Sequence, residues 1–206
     1  MIVVVGSPRA GSDDGRFTAS GTPSSVAFAA AEGGAEVQVV GRLGEDPAGD
    51  AVLLDLARRG VGHVAVLRDA VAATPELPPA TDEVDEDSRS ATAEPSSLEA
   101  ADIQLALSYL PEYRVIVVAE RLDDDAMGVV VDAADWSGAA LVVLGRQAVS
   151  DGLPDDVTIF DPPDDGDPNG AFAAMVGSYA AGLDRGDDPR VAFEAAAASV
   201  GSTAAE

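Results

Sequence analysis

Residues 2–5, Ile-Val-Val-Val, are four consecutive β-branched side chains ending on Gly6. A strand with no polar residue on either side of its pleat needs cover on both faces. That is the situation of a parallel sheet held between two layers of helices. Similar short runs recur at residues 36–40, 63–67, 115–119, 140–144 and 157–160. Helical stretches lie between them. Residues 22–32 are small and apolar and stop at Gly33-Gly34, and Asp46-Pro47 gives a carboxylate cap and a first-turn proline to a helix that ends before Gly60. Residues 99–110 stop before Pro111. Residues 123–136 carry Asp123, Asp124 and Asp125 at the end where the helix dipole favours negative charge. Residues 169–183 and 189–200 are two Ala-rich helices split by Asp184-Arg185-Gly186.

This alternation predicts an α/β fold: a three-layer sandwich with a mostly parallel sheet, in one domain over residues 1–206. Ligands on such sheets sit at the carboxyl ends of the strands. Residues 11–21 read as a polar loop. Residues 76–102 differ from the rest, with nine carboxylates and one arginine. They read either as an acidic flexible loop or, near 75–98, as the polar strands of a small lid inserted within the domain.

Charge narrows the function classes. There are 37 acidic residues against 12 basic ones, all arginine, for a net charge of −25. Such a surface repels phosphate backbones and has no basic cluster to counter it, so nucleic acid is excluded as a partner. No apolar run reaches the ~20 residues of a membrane span. Met1 to Gly6 lacks a basic n-region and reads as a buried strand rather than a signal peptide. With neither cysteine nor lysine, thiolate, disulfide and Schiff-base chemistry are excluded. Self-repulsion at this charge disfavours the compact state, and concentrated salt screens it. The composition therefore suits a cytoplasmic protein of a salt-loving microbe.

Several segments could carry chemistry. Asp161, Asp164, Asp165 and Asp167 form an acidic turn before a helix, either a Mg²⁺ or base site or a capping loop. His63 is the only histidine and no Gly-x-Ser-x-Gly elbow exists, which leaves no serine-hydrolase triad. Gly6 to Gly11 lacks the spacing of a phosphate loop. Trp136, near a helix end, reads as a packing anchor. Ser20, Gly21 and Ser25 open a helix whose glycine allows close approach of a ligand.

Three segments together resemble the ribokinase (PfkB) family of carbohydrate and nucleoside kinases. Ser20-Gly21-Thr22-Pro23-Ser24-Ser25-Val26-Ala27 resembles Gly-Gly-x-Pro-x-Asn-Val-Ala. Gly41-Arg42-Leu43-Gly44-Glu45-Asp46-Pro47-Ala48-Gly49, with Leu56 and Gly60-Val61 downstream, resembles Gly-x-x-Gly-x-Asp-x-x-Gly. Gly170-Ala171-Phe172 with Gly182 to Gly186 resembles the segment after the family's anion hole. The resemblance implies a shortened ribokinase-like fold with a reduced lid, and ATP with Mg²⁺ as cofactors if the chain is active. It implies a sugar or nucleoside as the small-molecule partner, bound by Asp13, Ser20, Gly21 and Ser25. Gly166, Asn169 and Gly170 would face phosphate, and the lid edge could pair with a second copy. Thr74 falls where the family often has a threonine at the lid edge.

The rear motif departs from the pattern. The family's Gly-Ala-Gly-Asp reads Asp167-Pro168-Asn169-Gly170 here. The catalytic aspartate is missing, Pro168 removes a backbone donor, and Asp167 is the one surrogate base on offer. The resemblance thus leaves two readings open: a divergent kinase, or a catalytically silent relative that binds a metabolite or a protein.

Because screening shrinks the Debye length to about 3 Å at 1 M salt, the thermal midpoint followed by circular dichroism should rise steadily between about 0.1 and 1 M KCl. A midpoint indifferent to salt would show that self-repulsion does not limit this fold.

Overall fold

The computed structural model describes residues 1–13, 15–77, 98–110, 112–145, 153–154, 156–163, 167 and 170–203. Eight strands and six helices follow in chain order: β1 Ile2–Val5, β2 Arg9–Asp13, β3 Arg16–Ser20, α1 Thr22–Glu32, β4 Val37–Gly44, α2 Pro47–Arg58, β5 Val61–Asp69, α3 Ala100–Tyr109, β6 Val115–Val118, α4 Asp124–Ser137, β7 Ala140–Leu144, β8 Thr158–Phe160, α5 Ala171–Arg185 and α6 Pro189–Thr203. Six strands form one sheet in the order β5-β4-β1-β6-β7-β8. Every pairing in it is parallel.

Strand alternation sorts the core into two layers. Ile2, Val4, Val37, Val39, Val115 and Val117 face one side, against residues of α1, α2, α5 and α6. Val3, Val5, Ile116, Val118, Leu141 and Val143 face the other, against α3 and α4. The three-layer α/β/α arrangement is as expected from the sequence.

Two expectations need correction. The segment read as a polar loop is a two-stranded antiparallel hairpin, β2 with β3, in which Arg9 pairs with Ser20 and Asp13 with Arg16. Its alternation is carried by small residues. Ala10 and Ala19, opposite each other in register, are 1% and 8% exposed and join the core layer of α1 and α2. Of the lid expected near 75–98, residues 75–77 and Leu98 are described: Ala10 exchanges backbone bonds with Pro75 and Leu77, both 2.8 Å, so the first of these lie along β2, and Leu98 is buried. Residues 78–97 lie outside the described residues. Trp136 is 89% exposed rather than packed. The inner face of α4 is Ala126, Met127, Val130 and Ala134, and at 100° per residue Trp136 points away from it.

The second strand is also longer than its apolar run. Residues 41–44 of the glycine motif continue β4, paired to Val66 through Asp69 of β5. Both ends of Gly41-Arg42-Leu43-Gly44 therefore belong to the sheet.

Among the described residues, no helix is long and apolar enough to cross a membrane.

Helices α1 and α5 meet through alanine and glycine. A Cβ at Gly177 would fall 2.7 Å from Ala29 Cβ and 2.9 Å from the Ala30 amide nitrogen, and against the Val26 carbonyl oxygen. Two of those three neighbours are backbone, so the helices would have to separate. Gly177→Ala should therefore destabilise the protein by about 1–3 kcal/mol, as overpacking typically does, despite alanine's better helix propensity. A variant of equal or higher stability in urea unfolding would show that the seam can open freely.

Candidate functional site

In the sheet order the chain runs outward from β1 through β4 to β5, then returns to β6 on the other side of β1. The loops leaving β1 and β6 thus lead to opposite sides, the arrangement at which open α/β sheets place their ligands. Ser7 follows β1 and Glu120 follows β6. The Ser7 amide donates to Glu120 Oε2 at 2.8 Å, and Ser7 Oγ accepts from the Arg42 amide at 3.1 Å. Burial pushes the Glu120 carboxyl above its ordinary pKa; the Ser7 amide and the charge of Arg9 pull the other way without cancelling it. Close approach sets the neighbouring glycine. A Cβ at Gly6 would stand 2.7 Å from Pro23 Cγ in the first turn of α1.

The motif around Asp46 is a clasp. Asp46 caps α2 by accepting from the Gly49 amide at 2.7 Å. It also accepts from the Thr74 amide and the Thr74 hydroxyl, both at 2.7 Å. Thr74 Oγ1 in turn accepts from the Gly44 amide at 3.1 Å. Burial alone would raise the Asp46 pKa, but the bonds from Thr74 and Gly49 outweigh it and hold the carboxyl below 3.8. A Cβ at Gly44 would lie 2.5 Å from the Ala72 carbonyl oxygen. The clasp fixes residues 72–75, and through Pro75 it fixes the segment beside the hairpin.

Asp167 is held at the start of α5. Its Oδ1 accepts from the Phe172 amide at 3.0 Å, and its Oδ2 from the Ala173 amide at 2.9 Å. The residue before the helix is Gly170, whose φ of 68° is left-handed and whose amide donates to the Asp167 carbonyl at 3.1 Å. The turn folds back so that the side chain caps amides a helix N-terminus would otherwise offer to an anion.

A cavity of about 410 Å³ lies between the starts of α1 and α5 and the end of α2. It brings together Ser20, Gly21 and Ser25 from the front motif with Asp167 and Gly170 from the rear one. Gly21, with φ 85°, is the N-cap of α1 and has no side chain with which to cap it. The other candidates lie apart or beyond description. Asp13 ends β2 beside the hairpin turn, at the opposite end of the hairpin from Ser20. Gly166 and Asn169 lie outside the described residues. Sequence reasoning missed Thr22, Phe28 and Arg59, which also line the cavity, and it missed Glu120. The signal for Glu120 was present: a carboxylate directly following an apolar strand in a parallel sheet.

The sequence matches no family profile and no curated protein. Solved structures, in contrast, share the architecture. Arabidopsis thaliana ribokinase complexed with ribose and ATP aligns with a TM-score of 0.63 at 14% identity, over 97% of this chain and 90% of that one. The fold is ribokinase-like. Salmonella enterica aminoimidazole riboside kinase aligns at 0.64 and 14% over 95% and 88%. A PfkB protein from Polaromonas sp. JS666 aligns at 0.63 and 15% over 95% and 92%.

Within this ribokinase-like chain, the residues at the start of α5 do not fit a phosphoryl group, because the Asp167 carboxylate already takes the Phe172 and Ala173 amides. Among the described residues, no three or more metal-ligating side chains gather as a site.

Removing the clasp tests the Asp46 assignment. Asp46→Ala should cost about 1–3 kcal/mol at pH 7, the usual loss for bonds to a charged capping group. The folded pKa lies below 3.8, so this stabilisation is present above pH 3.8 and is lost as pH falls through the lowered value. Chemical unfolding of both proteins at pH 7 and below pH 3.8 should show the gap closing. An undiminished gap in acid would put the effect down to packing rather than to the carboxylate.

Proposed function

We propose that this chain binds a hydroxyl-rich small molecule, a sugar or nucleoside, in the cavity between α1 and α5, and does not transfer a phosphoryl group to it. The observation that carries this reading is the bidentate capping of α5 by Asp167. Phosphoryl transfer rests on positioning and on donors aimed at developing negative charge. At α5 those donors answer an internal carboxylate. Ser20, Thr22 and Ser25 remain on the cavity wall. Hydroxyls that both donate and accept suit a polyol ligand. Mg-ATP enters only the second reading.

That second reading is the divergent kinase, with Asp167 as base and ATP with Mg²⁺ as cofactors. It is favoured by one observation: Asp167 lines the same cavity as Ser20 and Ser25, so an acceptor hydroxyl there would lie on its side.

Titration calorimetry of ribose, adenosine and Mg-ATP at about 1 M KCl, paired with a direct assay for phosphotransfer, separates the two. The binding reading expects heat from ribose or adenosine, none from Mg-ATP and no ADP formed. Micromolar binding of Mg-ATP with product formation overturns it. Asp167→Asn then assigns the residue. A base would lose transfer by orders of magnitude, whereas a cap would lose only stability, since asparagine still accepts a bond.

A further inference from the structure

The cavity holds a cation that no carboxylate among the described residues pairs with. Five arginines elsewhere in this acidic chain answer an oxygen. Arg42 meets Asp102 at 2.7 Å and Arg68 meets Asp50 at 2.9 Å. Arg185 and Arg190 pair with Asp187 and Glu194, and Arg114 donates to the Asp184 carbonyl. Arg59 instead lies over an aromatic ring, its guanidinium carbon 4.0 Å from the centroid of Phe28. Among the described residues no carboxylate pairs with it.

The geometry is that of a mounted donor. Phe28 is 6% exposed, so the ring is a fixed floor in the core. The Arg59 backbone is held at the end of α2, where its amide donates to carbonyls of the last turn. Stacking uses the face of the guanidinium and leaves its in-plane N–H fork free for a carboxylate or phosphate. Among the described residues, the only other charged one lining the cavity is Asp167, and both its oxygens already accept backbone amides. Among the described residues of this wall the uncommitted charge is therefore positive, within a molecule of net charge −25. The hydroxyls of Ser20, Thr22 and Ser25 share the same cavity.

We propose that the ligand is a hydroxyl-bearing organic anion, a sugar or polyol with a carboxylate or phosphate, whose acidic group pairs with Arg59 while its hydroxyls meet Ser20, Thr22 and Ser25. This rests on the reading of the cavity as a small-molecule site and names the class of molecule it selects.

Three probes and two variants decide it. D-gluconate, D-ribose 5-phosphate and D-ribose are titrated into the wild type, Arg59→Gln and Arg190→Gln at about 0.5 M KCl, where long-range repulsion is screened and a close pair survives. Circular dichroism checks that each protein is folded. In the wild type at least one acid should bind roughly 10-fold or more tighter than ribose, a difference of about 1.4 kcal/mol. Whichever acid wins distinguishes carboxylate from phosphate. Arg59→Gln should erase that preference and leave ribose unchanged, while Arg190→Gln, on α6, should alter neither. Ribose binding as tightly as both acids overturns the inference and leaves the cavity reading intact. So does an Arg59→Gln variant that weakens all three probes equally. If none of the probes binds the folded wild type, this inference falls, and the cavity reading then stands or falls on the adenosine titration.

Discussion

Every side chain of Ile2–Val5 and Val115–Val118 is fully buried, so the two central strands have no face to offer to water. A sheet of this kind is stable only when helices cover both sides. That demand sets the rest: α1, α2, α5 and α6 on one layer, α3 and α4 on the other. Covering both sides from one chain forces the path to reverse across β1. The reversal sends the loops after β1 and β6 to opposite sides, at the point where Ser7 meets Glu120. The site region is thus a by-product of burying valine twice.

Small residues decide how closely the covering layer can sit. Where Gly177 passes α1 there is no room for a methyl group. Gly41 and Gly44 let β4 run beside the β1 loop and the residues around Thr74. The glycine-rich motif that marked the fold in the sequence is, in the structure, a packing and clasping device. Asp46 works inward, on Thr74 and Gly49, and its charge contributes to stability.

Most elements were legible because their signals were local and strong: β-branched runs for the parallel strands, Asp46-Pro47 for the start of α2, and Gly33-Gly34 for the end of α1. What was not legible had specific causes. The hairpin hid behind polar strands with alanine on the inward side, although Asp14-Gly15 between them is a recognised hairpin signal. Trp136 looked like a core residue by type, but its helical phase turned it outward. Ser20, Gly21, Ser25, Asp167 and Gly170 were legible as candidates through motif resemblance, and the fold brings all five to one cavity. Arg59 and Phe28 were not, because the end of α2 and the middle of α1 are far apart in sequence and only the packed layer brings ring and guanidinium together.

Asp167 stands five residues from one amide it caps and six from the other. A group tethered so closely competes as though present at millimolar concentration or more, and it cannot diffuse away. A free anion arriving at α5 would have to outcompete a rival that the chain itself supplies at fixed stoichiometry, whatever the metabolite level in the surrounding solution. Occupancy of that helix end is in this sense buffered against the ligand pool, while the start of α1, where the cap residue is a glycine, stays responsive to it.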